Sequence, residues 1–176
     1  VRRFLTAAIL AALAATPALA EDGAAMRAAA DGFYGVYRAL PHTGGLPDDA
    51  ALAKYAPYLA PALEALLRKA SSAEDRFAKL NKGAPPLVEG DLFTSLFEGA
   101  TQVSVGNCTG NGRTGSCVVQ LVHADPGQVA VQWTDTVQLV NTPSGWRVGD
   151  IAYGGSWDFG NKGTLSATLN EVIAFQ

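Results

Sequence analysis

The sequence predicts an α+β domain in which N-terminal helices pack on one face of a four-stranded antiparallel sheet and a further helix follows the last strand. Three observations carry this. Up to residue 81, larger apolar side chains recur every three or four positions, the period of an amphipathic helix. After residue 100 the period drops to two, over four strand-like runs joined by short links, which is the pattern of an antiparallel meander. A last helical run, Leu165, Leu169, Val172 and Ile173, follows Thr164. Helices first and strands afterwards, without alternation, is the α+β order.

The chain opens with VRRFLTAAILAALAATPALA. Arg2 and Arg3 form a basic n-region, Phe4 to Ala15 an apolar h-region, and Ala18-Leu19-Ala20 a small-x-small site, so residues 1–20 read as a secretory signal peptide cut after Ala20. The periplasm is the expected location, and residues 21–176 form one domain. The apolar stretch is shorter than the roughly 20 residues a membrane-spanning helix needs, and no later run approaches that length. No stable membrane insertion is expected after cleavage. Losing residues 1–20 takes only Arg2 and Arg3 from 13 basic side chains and none of the 16 acidic ones, so the remaining 156 residues carry about −5. That balance, without any Lys/Arg cluster, argues against nucleic acid as a partner.

From Ala24 to Leu40 the spacing of Met26, Ala30, Phe33, Tyr37 and Leu40 predicts the first helix. PHTGG stops it, and Pro47-Asp48-Asp49 starts a short second helix to about Ala56. Pro57 and Pro61 interrupt the pattern. Leu63, Leu66, Ala70, Ala73, Phe77 and Leu80 then mark a third helix to about Asn81, with Lys79 and Lys82 suited to its negative end and Gly83 to its cap. In APPLVEGDLFTSLFEGA, Asp91 is expected to cap a short helical stretch ended by Gly99. Leu92, Phe93, Leu96 and Phe97 form an apolar plug there, read either as core or as a lid.

The four strand-like runs are TQVSVGNC, SCVVQLVHA, VAVQWTDTVQLV and GWRVGDIAYGG. Turn chemistry at 109–116, DPGQ and NTPSG separates them. Cys108 and Cys117 bracket the first turn and are expected to form a disulfide across a hairpin, as an exported chain permits.

The runs PPLVEGDLFTSLFEGAT and GWRVGDIAYGG, behind a signal peptide, resemble the bacterial domain-of-unknown-function 3828 family of exported proteins. The order of elements also resembles the cone of the nuclear transport factor 2-like superfamily, with its ketosteroid isomerase-like and SnoaL-like members. The resemblance implies a curved sheet and a single cone domain over 21–176. It also implies pairing of two copies through the outer face of the sheet, where Gln132, Thr134, Thr136 and Gln138 permit a homodimer. It assigns no activity, because the resembled family has none assigned.

One residue stands out in the third strand. Alternation puts Asp135 on the same face as Val129, Val131, Trp133, Val137 and Leu139, so a carboxylate points into an apolar interior. In GWRVGDIAY the matching parity joins Trp146, Val148, Asp150 and Ala152. A six-residue loop from Val140 to Gly145 sets Asp135 opposite Asp150, with Cβ atoms about 4.5 to 5.5 Å apart, and one of the pair then keeps its proton to higher pH. A five-residue loop pairs Asp135 with Ile151 instead. Two structural readings stand beside these: Asp150 bonds backbone amides at the strand end, or Asp135 is satisfied by Thr, Tyr or Trp donors.

The superfamily resemblance implies that carboxyl groups and a tyrosine at an apolar cavity do proton transfer, which makes Asp135 and Asp150 the candidate catalytic pair. Tyr34, Tyr37, Tyr55, Trp133 and Trp146 are the candidate ligand-binding residues; Trp157 belongs with them, and large aromatics also build cores. His42 and His123 lie far apart, and Glu89, Asp91 and Glu98 lack the register of a calcium loop, so no metal is expected. No cofactor motif and no nucleophile elbow occurs. The leading expectation is a non-catalytic module binding a small apolar ligand or an envelope protein. An acid/base enzyme of isomerase, dehydratase or cyclase type and a structural accessory of the cell envelope are the alternatives.

Overall fold

The first helix, α1 (Pro17–Ala39), is already helical at the first described residue, seven residues ahead of the expected Ala24. The alanine-rich stretch Ala24 to Ala30 favours helix. The computed structural model describes residues 17–41 and 43–175; positions 1–16 of the expected signal peptide, and His42, lie outside the described residues. The inner face of α1 is Met26, Ala30, Phe33, Tyr34 and Tyr37, all buried.

Helix α2 (Asp49–Tyr55) is capped by Asp48, whose Oδ1 accepts from the Ala51 amide at 2.7 Å. A 3₁₀ turn, Ala56–Tyr58, contains Pro57, and α3 (Pro61–Leu80) begins on the second proline. Leu63, Leu67, Ala70 and Ala73 face the core. Leu66 is only partly covered, and Leu80 is 83% exposed because the last turn runs past the core.

Strands β1 (Gln102–Gly110), β2 (Thr114–His123), β3 (Val131–Thr142) and β4 (Gly145–Ala152) form one antiparallel sheet in chain order. Cys108 and Cys117 sit directly opposite in β1 and β2, Cα atoms 4.0 Å apart, and are joined by a disulfide. Helix α1 packs against β1 and also against β4 at the other edge. For one helix to reach both outer strands the open sheet must curve round it. Helix α4 (Leu165–Ala174) packs on α3 and β4, with Thr164 Oγ1 accepting from the Ala167 amide at 3.2 Å.

Two expectations fail, each for a local reason. Residues 91–99 form bends rather than a helix. Asp91 competes for the local backbone: its Oδ1 accepts from the Phe93 amide at 3.3 Å and its Oδ2 from Thr94 Oγ1 at 2.5 Å, while its own amide donates to the Phe97 carbonyl. Leu92, Phe93 and Leu96 are buried, so this part of the plug is core, and Phe97 alone turns outward.

The second failure is the β3–β4 register. The turn is shorter than either expected loop, with Thr142 paired to Gly145 across Pro143-Ser144. Gly145 has φ +94°, a backbone that suits glycine at the turn's end. Leu139 then pairs with Val148, and a bulge at Gly149 places Asp150 opposite Gln138 and Ile151 opposite Val137. One extra residue reverses the parity of everything after it. Asp135 and Asp150 therefore do not face each other.

Candidate functional site

Asp135 points inward as the alternation requires, and it is buried. Four donors meet its two oxygens. The Ser95 amide donates to Oδ2 at 2.8 Å and the Ser95 hydroxyl to Oδ1. The Gly154 amide donates to Oδ1 at 2.8 Å, and Trp133 Nε1 to Oδ2 at 3.3 Å. Ser95 Oγ in turn accepts from the Gly155 amide at 3.0 Å. Gly154 approaches so closely that a Cβ there would lie 2.1 Å from the Thr134 carbonyl oxygen. The carboxylate thus ties two segments to the sheet: residues 91–100, through Ser95, and the stretch after β4, through Gly154 and Gly155.

Asp150 does different work. Its Oδ1 accepts from the Ile151 amide at 2.8 Å and the Ser166 amide at 2.9 Å, and its Oδ2 from Ser166 Oγ at 2.5 Å. It holds the first turn of α4, where unpaired amides and the helix dipole favour a negative charge.

The candidate ligand-binding aromatics are largely occupied by the core. Tyr34 donates to the Phe93 carbonyl at 3.3 Å, and Tyr37 donates to Asp91 Oδ2 at 3.0 Å while accepting from the Ala100 amide at 2.8 Å. Phe33 meets Tyr34, Tyr55 and Phe93 with ring centroids 5.1 to 5.2 Å apart. Trp133 serves Asp135, and Trp146 Nε1 donates to Asp22 Oδ1 at 3.3 Å. Burial pushes the phenols of Tyr34, Tyr37, Tyr55 and Tyr153 well above the usual tyrosine range, and the Asp91 charge pushes all four the same way. For Tyr34 the Asp135 charge acts after burial and ahead of Asp91. Tyr37 and Tyr55 also edge a surface cleft of about 350 Å³ beside α2.

Neither Asp135 nor Asp150 lines that cleft or the other surface cavities described below and on the sheet. Among the described residues no group of three or more His, Cys, Asp or Glu side chains is placed to hold a metal ion. Nor does any helix among them have the length and apolarity to cross a membrane.

The largest of these cavities, about 640 Å³, is a groove at the loop end of the sheet. Leu96, Phe97 and the carboxylates Glu89 and Glu98 come from the segment before β1. The end of β2 supplies His123, the β2–β3 connection Asp125, Gln128 and Val129, the start of β3 Val131, and the stretch after β4 Trp157 and Phe159. Trp157 stands edge-on to Trp133, centroids 5.3 Å apart, which seats one wall on the core. Asn161 links the walls, its side-chain amide donating to the carbonyls of Asp91 at 2.6 Å and Thr94 at 2.7 Å. Of the seven large apolar side chains exposed among the described residues, Phe97, Val129, Val131 and Phe159 all line this groove. His123 Nδ1 lies 2.7 Å from the Gly99 carbonyl, which requires a proton on that nitrogen, and Nε2 faces Asp125 Oδ2 at 3.4 Å.

Sequence reasoning found the inward carboxylate and missed the groove. The alternation of VAVQWTDTVQLV puts Val129 and Val131 on the inward face, but β3 begins only at Val131 and both side chains are exposed, Val129 by 91%. Phe159 lies among Asp, Gly and Asn in a turn-forming stretch, where a single apolar residue carries no periodic signal. Comparison of the chain with protein-family models, with curated proteins and with solved structures finds no match.

Proposed function

We propose that this chain is an exported, non-catalytic binding protein that holds the apolar part of a small ligand in the loop-end groove. The domain is of the nuclear transport factor 2-like cone type its sequence resembles, and its compartment is the periplasm. The observation that carries the reading is the concentration of exposed apolar side chains in one concave space. Its volume, about 640 Å³, falls within the range typical of small-molecule sites, and contiguous apolar exposure rimmed by polar groups marks interaction surfaces. Export is supported by the signal-like N-terminal sequence and by a disulfide compatible with an oxidising compartment. The acid/base alternative draws no support from Asp135 and Asp150, since each accepts hydrogen bonds from its own chain and they lie in different parts of the sheet.

Titration with a neutral apolar fluorophore, N-phenyl-1-naphthylamine, tests the site. The expected result is saturable binding that Val129→Ser with Phe159→Ser reduces at least about tenfold, the loss of two buried apolar contacts on binding. Absence of binding to the unaltered protein, or unchanged binding to the double variant, would overturn the reading.

A further inference from the structure

We infer that the groove selects an organic cation with an apolar body, an inference that rests on the groove being the binding site. Two features of one surface point to this. The walls are aromatic and aliphatic: Phe97, Trp157 and Phe159 supply aromatic rings, and Val129 and Val131 supply apolar area. The charged side chains lining it are Glu89, Glu98 and Asp125, with no Lys or Arg among the lining residues. Among the described residues, Glu89 and Glu98 have no ion pair, and Asp125 meets only His123.

Three carboxylates round an apolar concavity sum to a negative potential, which a low-dielectric wall focuses into the space. Aromatic faces carry partial negative charge and attract cations in the same sense. A ligand with an ammonium group and an alkyl or aryl body satisfies both features at once. A neutral apolar ligand uses the walls only, and an anionic one is repelled by the rim.

Three eight-carbon probes of equal tail separate these terms: octylammonium, octyl glucoside and octanoate, each below its micelle-forming concentration, in competition with the neutral fluorophore at low salt. Octylammonium is expected to bind about tenfold tighter than octyl glucoside, each exposed charge pair adding about two- to threefold, and octanoate more weakly than either. Raising the salt should narrow the spread, because these charges are exposed and screened. The triple variant Glu89→Gln, Glu98→Gln, Asp125→Asn should remove the preference for the cation while leaving octyl glucoside binding in place, with near-ultraviolet circular dichroism confirming the fold. Equal binding of octylammonium and octyl glucoside, sensitive to Phe159→Ser, overturns the charge inference and leaves the groove as the site. Binding of none of the three overturns both.

Discussion

The interior under α1 and the loop end of the sheet are built from the same kinds of residue and treat them in opposite ways. Inside, Tyr34, Tyr37, Asp91 and Asp135 are paired with donors and acceptors of the same chain, and aromatic rings fill the space between them. At the loop end, Phe159 and Val129 are 89% and 91% exposed, and Glu89 and Glu98 are left in solvent. A satisfied acid in a core specifies the fold; an unsatisfied apolar wall beside unpaired acids is available to a ligand. The proposed binding surface therefore lies at the loop end, away from the buried carboxylate.

The strongest break of that comparison is alkaline pH. Tyr34, Tyr37, Tyr55 and Tyr153 have phenols raised by burial, so the folded state keeps protons that the unfolded chain releases above about pH 10. Their contribution is fully present below that pH and is lost as pH rises toward the folded-state values. Stability should fall by up to about 1.4 kcal/mol per pH unit for each phenol. Urea midpoints measured across this range, with phenolate absorbance recorded alongside, should show ionisation arriving together with unfolding; phenols that titrate at the free value in the folded protein would contradict their burial.

Asp135→Asn is expected to cost about 3 kcal/mol, because an amide presents donors where Ser95, Gly154 and Trp133 already donate. Ser95→Ala, which removes one donor to Asp135 and the acceptor of the Gly155 amide while leaving the Ser95 and Gly154 amides on the carboxylate, should cost about 2 kcal/mol. Both are read from urea denaturation, and the larger loss should weaken fluorophore binding as well, since the two groove walls share this anchor. A cost below about 0.5 kcal/mol for Asp135→Asn, the size of an ordinary surface change, would show that the carboxylate does not hold the segments.

The smallest effect is the sharpest contrast. Val129→Ser with Phe159→Ser should leave stability within about 0.5 kcal/mol of the parent, as expected for side chains that touch little, although the same pair abolishes most of the proposed binding. A large destabilisation would mean these residues belong to the core.

Much of the fold was readable because periodicity reports burial. The spacing of Met26, Ala30, Phe33 and Tyr37, the alternation of Trp133, Asp135, Val137 and Leu139, and the cysteines flanking a glycine-rich turn each had one economical interpretation, and the structure has it. The β3–β4 register was not readable, because a bulge at Gly149 leaves no mark in composition and parity counts assume that none exists. Residues 91–99 misled for a related reason: an Asp that caps helices also closes bends, and the choice depends on Tyr37 and Asn161 arriving from distant parts of the chain. The groove was not readable because distant parts of the chain supply it, and the alternation that includes Val129 and Val131 points both to the interior.

The bond pattern at Asp135 also bears on the order of folding. Ser95 lies 40 residues before it and Gly154 lies 19 after, whereas the β-meander pairs neighbours across short turns. Local pairings form first and long closures later, since each closure waits on chain entropy. Ser95 and its loop are therefore expected to dock after β3 and the stretch beyond β4, an order that pulse-labelled hydrogen exchange at the Ser95 and Gly154 amides would check. On that order the groove forms late, and a ligand held there would report a chain that has finished folding.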